Sequence, residues 1–517
     1  MSAKPTEEVV LAVWTDELGV QVGADDHFFR CGGNSLGAAR ATINLSEALS
    51  RDIELATLLE NPIARDYAAA VDAVASGASS RLPVVARDGV LPLSYQQEAR
   101  LERERDAAAA GGQAGPYFLP LIIAFDMNIE AHLVEAAINL LIARHESLRT
   151  GFKIGAARSG HRAFAVESAL VELEALEVGA IAAEARDSLV AATYAAMVGV
   201  ELDFMRVPLI RAKLLHLGAT SSVLILAVEH IVFDGWSTGI LFNELMAVLR
   251  GHQLPALEAQ YADWAGWHNK RLQGDSLLEI LDFWRHQLVG TSPFPPLALP
   301  MPSEPLDGMC AEVSHVLPVP YLEMLENRAK VLETTLFVVV LTAFARAWQR
   351  ISGSTDVVIH GPTANRAVPQ SQAMIGNFAH SLVYRLNSPC DKDRGTAIAA
   401  TGAVVAEALG HQEIPLSLLT RYLQPEAHGR ATHLPRLYVA RSVQRQLESP
   451  VDGGTARTVA LRDVPVSAEP GVAAFYTDGD TGALTLRLLF RPAEVDRAFV
   501  AELLTVFAAE LTEIAEP

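Results

Sequence analysis

The sequence predicts a multidomain protein in which a small all-α bundle is followed by a larger α/β domain. Three observations lead to this prediction. The chain has 517 residues, and at roughly 150 residues per domain that length corresponds to about three compact units. The first 75 residues carry only helical patterns. After a stretch rich in small residues, short apolar runs alternate with longer helical segments.

The N-terminal bundle is predicted from apolar residues that recur at helical spacing. Helices are indicated over Glu7–Leu18, Ser35–Leu49 and Ile63–Val74. The segment from Ala75 to Val90 is rich in Gly, Ser and Ala, a composition typical of a surface linker. We therefore expect a first domain over residues 1–75, a linker over 76–90 and a second domain over 91–517.

The second domain contains apolar runs short enough for buried strands, separated by helical segments. The strands are predicted at Phe118–Phe125, Ser222–Val228, Val357–His360 and Leu484–Phe490, and the clearest helices at Leu133–Arg144 and Leu336–Trp348. This alternation predicts a layered α/β or α+β domain. A proline-rich segment, Gly290–Pro305, is expected to connect two lobes over about residues 91–270 and 271–517. The segment Ala107–Pro116 is expected to be a loop.

Composition limits the class of function. Half of the residues are hydrophobic and 20% are charged, as in ordinary globular proteins. With a net charge of −20, the chain as a whole repels a phosphate backbone, so nucleic acid is not expected as a partner. Three widely separated cysteines fit a reducing compartment and indicate no metal site. Because neither a signal peptide nor an apolar run of about 18 residues is found, we expect a cytoplasmic protein without a membrane segment.

A serine in a glycine-containing motif is the first candidate site. The motif DDHFFRCGGNSL places Ser35 directly after two glycines and Asn34. The glycines permit a tight turn, and the free N–H groups at the start of the following helix favour a phosphate. Ser35 is therefore suited to carry a phosphodiester. A serine that only caps the helix is the simpler alternative.

The same residues match the G-x-S-x-G pattern of hydrolase nucleophiles, over Gly33 to Gly37. That pattern requires a buried strand directly before the serine. The residues before Ser35 are instead acids, a histidine and two phenylalanines. A hydrolase is therefore not favoured.

Over about residues 5–75 the chain resembles the peptidyl carrier domains of nonribosomal peptide synthetases, whose attachment motif is D-x-F-F-x-x-G-G-x-S-L. His27 is an extra polar residue in that motif, and Cys31 stands where an apolar residue is usual. The resemblance implies a four-helix bundle. It also implies that a phosphopantetheinyl transferase attaches 4′-phosphopantetheine to Ser35, where the cofactor holds an acyl or peptidyl group as a thioester.

A histidine at the end of a predicted strand is the second candidate site. The segment LILAVEHIVFDGWS, which begins at Leu224, indicates a buried strand, the polar pair Glu229 and His230, a turn at Asp234–Gly235 and then a helix from about Ser237. Loops that leave strand ends frequently carry chemistry. A hydrogen-bonded core histidine is the alternative for a single His at such a position.

This segment resembles the H-H-x-x-x-D-G motif of condensation domains, which are related to chloramphenicol acetyltransferase. Further motifs of that family follow the family's order along the chain. They are SYQQ from Ser94, RHESLRTGF from Arg144, YADWA from Tyr261, IGNF from Ile375 and HQEIP from His411. The resemblance implies a V-shaped, two-lobed pseudodimer in which an amine attacks a carrier-bound thioester and an amide forms.

The chain departs from the family pattern at three places. Glu229 replaces the first histidine, Ala–His follows Phe378 where Val–Asn is usual, and the C-terminal R-x-x-x-x-N-P-L-F motif is reduced to HLPRL from His433. The second histidine and the Asp–Gly pair are retained. Two explanations of Glu229 remain open, namely a carboxyl group whose pKa is raised by burial and a carboxylate paired with a nearby cation.

The resemblance assigns roles to the retained residues. His230 is expected to act as the base that receives the proton of the attacking amine, or to position that amine. Glu229 is grouped with it at the catalytic site. Asp234 is expected to hold the loop through an ion pair, and Gly235 to leave space for the substrate.

Two arginines are expected to support the site. Arg366 is the best match for the arginine of the opposite lobe that pairs with Asp234, and a solvated loop arginine is its alternative. Arg149 is assigned to structural support, with an ordinary helix-end arginine as the alternative.

The order of the domains indicates that the carrier delivers the acyl donor. An adenylation domain does not fit within 517 residues, so we expect loading by another protein or by a further part of a longer chain. The acceptor is expected to be a second carrier or a free amine. A silent condensation-like domain that recruits a tailoring enzyme, and a variant that forms an ester or closes a ring, remain alternatives. An epimerase is disfavoured because its glutamate-bearing motifs are not found.

Overall fold

The computed structural model describes most of the chain. The described residues are 5–49, 51, 53–74, 81–109, 111–112, 117–302, 310–388, 392–427, 434–442, 447–461, 470–478 and 482–516, apart from the side chains of Ser35, Leu36, Glu47 and Asp478. Within these ranges a helical bundle is followed by an α/β domain with two large sheets, as the sequence predicts.

The N-terminal bundle consists of α1 (Thr6–Leu18), α2 (Ser35–Leu49), α3 (Leu55–Glu60) and α4 (Ala64–Ala73). Its core is built around the fully buried Trp14, whose ring lies 5.0 Å from that of Phe28 and 5.7 Å from that of Tyr67. These contacts join the first helix, the segment before α2, and α4. The short α3 was not predicted, because six residues do not display a helical period.

The first lobe of the second domain is built mainly from the residues before position 272. Its elements are α5 (Tyr95–Ala109), β1 (Phe118–Phe125), α6 (Ala131–Arg144), β2 (Thr150–Lys153), β3 (Arg162–Ala165), β4 (Glu174–Glu177), α7 (Ala183–Val198), β5 (Ile210–His216), β6 (Ser222–Glu229), α8 (Gly235–Leu249) and α9 (Tyr261–Arg271).

The second lobe follows directly. Its elements are α10 (Gly274–Gln287), β7 (Ala311–Leu317), α11 (Tyr321–Val331), α12 (Leu336–Ser352), β8 (Val357–Thr363), β9 (His380–Leu386), α13 (Arg394–Gly410), α14 (Leu416–Leu423), β10 (Arg436–Arg441), β11 (Glu448–Val451), β12 (Gly454–Thr458), β13 (Gly471–Asp478), β14 (Leu484–Phe490) and α15 (Arg497–Ala515).

Each lobe has its own large sheet. In the described residues, the first sheet has the order β11-β12-β1-β6-β5-β4 and the second the order β7-β14-β13-β10-β8-β9. β6 is buried along its whole length between β1 and β5, as expected for a central strand. This position places the end of β6, and the residue after it, deep in the domain.

The second lobe contributes a hairpin to the first sheet. β12 pairs antiparallel with β1, so that Ile123 lies opposite Thr458 and Phe125 opposite Ala456. The expected division at residues 270 and 271 therefore needs a correction, because part of the first sheet comes from later in the chain. Without β12, β1 would be an edge strand with open backbone hydrogen-bonding groups.

The structure changes two further expectations about irregular segments. α5 continues through Ala109 and so includes the start of the predicted loop, of which residues 110 and 113–116 lie outside the described residues. Residues 76–80 of the expected linker also lie outside them. The rest of the linker is fixed to the first lobe, since Arg87 lies 2.9 Å from Glu146 and pairs with Asp263.

Neither a metal-binding cluster nor a single membrane-spanning helix is found in the described residues. No group of three or more His, Cys, Asp or Glu side chains there could hold a metal ion. No single helix in the same ranges is long and apolar enough to cross a membrane, and α11 and α12 meet that test only together, across a bend of 103°.

Candidate active site

His230 directly follows β6. Its backbone N–H donates to the carbonyl of Tyr117 (2.8 Å), and residues His230–Val232 form one 3₁₀ turn. α8 begins at Gly235, earlier than predicted, because Asp234 caps it and accepts the N–H of Ser237 at 2.8 Å. The predicted turn at Asp234–Gly235 thus consists of the N-cap and the first residue of α8.

The imidazole of His230 is desolvated. Its ring centroid lies 4.6 Å from that of Tyr117, and its Nδ1 is buried without a hydrogen-bond partner among the described residues, while the residue as a whole is partly exposed. Desolvation lowers the pKa of His230, while nearby backbone groups and the charge of Asp234 only oppose that shift. The ring is therefore neutral at pH 7 and able to accept a proton.

Glu229 is fully buried and paired with a cation. Its Oε1 accepts from Arg100 Nε at 2.9 Å, and its Oε2 accepts the backbone N–H of Tyr117 at 3.0 Å. Desolvation raises the pKa of Glu229, and Arg100 opposes that rise. Arg100 itself also pairs with Glu104 at 2.9 Å. Both explanations that the sequence left open therefore contribute, and both carboxylate oxygens are used within the protein.

Asp234 is held by the opposite lobe. Nη2 of Arg366 lies 3.0 Å from Oδ1 and 3.1 Å from Oδ2 of Asp234, and both side chains are buried. The backbone N–H of Phe378 donates to the same carboxylate at 3.1 Å. The guanidinium of Arg366 also lies 3.9 Å from the centre of the Phe378 ring. Asp234 thus joins the start of α8 to two loops of the second lobe.

Four of the other five family motifs meet at the same junction. The hydroxyl of Tyr261 lies 2.8 Å from Ser94 Oγ and 2.6 Å from the carbonyl of Asn377. Ser147 Oγ donates to the carbonyl of Ile375 at 2.6 Å. Motifs that are far apart in sequence therefore hold the two lobes together around Asp234. The reduced HLPRL motif is described from Leu434 onward, and His433 lies outside the described residues.

Gly235 and Arg149 occupy different settings. Gly235 is exposed, and a Cβ atom there would meet nothing within 4 Å. Arg149 lies on the side of the β2–β3 hairpin, where its Nη1 donates to the carbonyl of Val166 at 2.6 Å. This hydrogen bond stabilises the hairpin. The described contacts of Arg149 do not include Asp234 or Arg366.

Sequence analysis missed several residues near His230. Tyr117 contacts its ring, and the charges of Arg103 and Arg436 both act on the Tyr117 hydroxyl. Burial lowers the pKa of Arg436 to about 10. Arg436 belongs to the reduced HLPRL motif, so the departure of that motif from the family pattern was a usable signal. Tyr117 follows residues of no regular pattern and gave no such signal.

The loop before α2 meets the requirements of a phosphate attachment site. Asn34 Oδ1 accepts the N–H of Gly37 at 2.9 Å, so Asn34 caps the helix and Ser35 is its first residue. A Cβ atom on Gly33 would lie 2.3 Å from the Phe28 ring, which only glycine avoids. Gly32 has φ +96° and is exposed together with Asn34. The first turn of α2 carries no acidic residue of its own, which favours a phosphate there. The carboxylate of Glu17, which lies beside Gly37, is paired with Arg40.

Known families match both parts of the chain. A model of the phosphopantetheine attachment site matches residues 8–71, and a model of the condensation domain matches residues 94–515. A linear gramicidin synthase of Brevibacillus parabrevis is 28% identical over 433 residues, which are 81% of this chain and 8% of that protein. The chain therefore spans less than a tenth of the length of this relative.

Solved structures share the fold of the second domain. SgcC5 of Streptomyces globisporus matches with a TM-score of 0.69 and 20% identity, over 82% of this chain and all of that one. The X-domain in the complex with OxyB from teicoplanin biosynthesis matches with a TM-score of 0.67 and 22% identity, over 85% of this chain and 97% of that one. The chain belongs to the condensation-domain family of nonribosomal peptide synthetases and carries a phosphopantetheine attachment domain ahead of the condensation domain.

Proposed function

We propose that this chain transfers an acyl or peptidyl group from its own carrier to an amine and so forms an amide bond. The observation that carries the proposal is the neutral imidazole of His230, a partly exposed residue that lies four positions before Asp234, whose pair with Arg366 joins the two lobes. Asp234 and Arg366 fix the loop that follows it. A base with access to the substrate, on a rigid support, is what the reaction requires.

Ser35 is the proposed attachment residue for 4′-phosphopantetheine, which supplies a thiol arm that holds the acyl group as a thioester. His230 accepts the proton that the amine nitrogen loses as the new C–N bond forms. With the arm attached to Ser35, its thiol would be the leaving group, and the imidazolium of His230 would return its proton to that thiol, so that no proton is gained or lost overall. The exposed, side-chain-free Gly235 leaves room for the reacting groups beside the helix start.

Glu229 is proposed as a positioning residue. Its carboxylate fixes the backbone of Tyr117, whose carbonyl accepts the N–H of His230 and whose ring contacts the imidazole. The replacement of the first histidine by Glu229 therefore changes which side chain positions His230, while His230 itself remains as the base.

The proposed partners follow from the two domains. A phosphopantetheinyl transferase modifies Ser35, and an adenylation domain in another protein or elsewhere in a longer chain loads the arm. The acceptor is a downstream carrier or a free amine. In the described residues, Cys31 and Cys310 form no disulfide, which is consistent with the cytoplasm as the proposed compartment.

Two measurements test this function. Incubation with a phosphopantetheinyl transferase and coenzyme A should raise the intact mass of the wild type and leave that of Ser35→Ala unchanged. The loaded protein should then convert amine acceptors to amides, and His230→Ala should slow this step by about a hundredfold or more. Equal rates for the wild type and His230→Ala would remove His230 from the mechanism.

A second candidate function is supported by Glu229 alone. The chain would then be a silent condensation-like domain that binds a tailoring enzyme and presents the carrier-bound peptide to it. Stable capture of such an enzyme, together with no turnover of any amine or alcohol acceptor, would favour this function.

A further inference from the structure

The carrier bundle packs against the second lobe. α3 faces α13, and a Cβ atom built on Gly410 would lie 3.7 Å from the Cβ of Ala56. α2, the helix that begins at Ser35, contacts the turn formed by Pro369–Ala373. The carrier therefore touches the condensation domain at two separate places.

An arginine and a histidine of the attachment motif meet one carboxylate of the second lobe. Burial lowers the pKa of the histidine, His27, so Arg30 carries the positive charge at this contact. Arg30 forms an ion pair with Glu333, and Nε2 of His27 lies 3.7 Å from Glu333 Oε2. His27 is the extra polar residue of the motif, and its side chain is 9% exposed at this contact. The proposed roles of Ser35 and His230 do not explain why either basic residue is present.

Glu333 has an unusual backbone conformation. Its φ is +55°, and Asn365 is the other non-glycine residue with positive φ among the described parts of the chain. A glutamate adopts this conformation rarely. Here it terminates α11, since the N–H of Thr334 donates to the carbonyl of Ala329 at 2.9 Å. The position just after α11 directs this one acidic side chain toward the carrier motif.

The turn contacted by α2 is connected to the candidate active site. The carbonyl of Gln372 accepts the indole N–H of Trp236 at 3.2 Å, and Trp236 follows Gly235. The carbonyl of Ser371 accepts from Arg366, the partner of Asp234. The carrier thus sits beside the loops that hold the start of α8.

We infer that Glu333 is the residue with which the condensation domain recognises its own carrier in the donor position, through Arg30 and His27. The contact holds the helix that begins at Ser35 beside the Gly235 side of the site. A carrier with an acidic residue at the position of Arg30 is repelled by Glu333, so the contact selects the partner by charge. The donor role of the docked carrier rests on the proposed function, but the docking itself can be measured without catalysis.

A disulfide tests the docking directly. The 3.7 Å separation of the two Cβ positions is suitable for a disulfide, so Ala56→Cys and Gly410→Cys are combined in a chain whose native cysteines are replaced. We expect an intramolecular bond, detected by reversible loss of two hydrogens and by linked tryptic peptides. The two single-cysteine variants are the controls. Absence of the bond, or bonds only between two molecules, would overturn docking within one chain.

Charge reversal tests the role of Glu333. In the double-cysteine protein, Glu333→Arg should slow disulfide formation by about three- to tenfold, and Arg30→Glu combined with it should restore most of the rate. Glu323→Arg, an exposed position on α11, makes the same charge change and should have no effect. Equal rates with Glu333→Arg and Glu323→Arg would overturn the assignment of Glu333.

A second measurement avoids new cysteines. Glu333→Arg should increase amide hydrogen exchange in α3 and α13 of the otherwise unchanged protein, and unchanged exchange would contradict the inference. Failure of the proposed function would look different, because amide formation would then be absent while the disulfide and its dependence on Glu333 persisted.

Discussion

Arg100 donates its Nε hydrogen to Oε1 of Glu229 across 2.9 Å, and both side chains are buried. The pair stands where the family motif has its first histidine. The other oxygen of Glu229 holds the backbone of Tyr117, which in turn contacts His230. Arg100 was not recognised from the sequence, because α5 carries many charged residues and nothing in their spacing marks one of them as buried.

The Arg100–Glu229 pair predicts a strongly coupled pair of mutations. Arg100→Met should lower the free energy of unfolding by about 3–5 kcal/mol, because it leaves the buried Glu229 without its cation. Glu229→Leu should cost less, because Arg100 still pairs with Glu104. The combined variant should lose much less than the sum, since both charges are then removed together. Urea unfolding of the four proteins measures the coupling. Additive losses would show that the two side chains do not act as a pair.

The sequence predicted those elements whose local pattern determines them. β1 and β14 have the predicted ends. β1 is an apolar run that ends before Asp126, and β14 begins by alternating apolar with polar residues and ends in three apolar residues before Arg491. The pairing of β12 with β1 could not be predicted, since it joins segments more than 300 residues apart and leaves no period in either one. The contact between Glu333 and Arg30 could not be predicted either, because in the sequence each is an ordinary charged residue and only the fold brings the two together.

The buried ion pair between Asp234 and Arg366 predicts a large effect of one neutral substitution. Asp234→Asn should lower the free energy of unfolding by about 3–5 kcal/mol, because the Arg366 charge stays buried without a carboxylate. The matched control is Asp356→Asn, which removes a carboxylate 2.8 Å from Arg385. Asp356 is 41% exposed, so its loss should cost less than about 1 kcal/mol. Similar losses in the two variants would argue against a buried pair at Asp234.

Buried histidines predict a loss of stability in mild acid. Desolvation lowers the pKa of His268 and His360 to about 3 and that of His380 to about 4. In the unfolded chain the pKa is about 6.5, so the unfolded state binds protons first and stability present above that pH is lost below it. From pH 6.5 to 5.5 each histidine should cost about 1 kcal/mol.

The measurement is the free energy of unfolding at these two pH values. His268→Gln should reduce the difference between them by about 1 kcal/mol, because it removes one of the three groups. The same substitution at the exposed His132 is the control and should leave the difference in place. A wild type that is equally stable at both pH values would contradict the buried, neutral state of the three histidines.

Two glycines of the site predict opposite outcomes for the same substitution. A Cβ atom on Gly376 would lie 2.1 Å from the ring of Tyr261, whereas one on Gly235 would meet nothing within 4 Å. Gly376→Ala should therefore unfold or strongly destabilise the domain. Gly235→Ala should leave the free energy of unfolding within about 0.5 kcal/mol of the wild type.

If the open side of Gly235 accommodates the reacting groups, the added methyl group should still slow amide formation by about tenfold or more. Thermal unfolding and single-turnover rates of the two variants separate these effects, and a Gly235→Ala protein that is both stable and fully active would show that the substrates bind elsewhere.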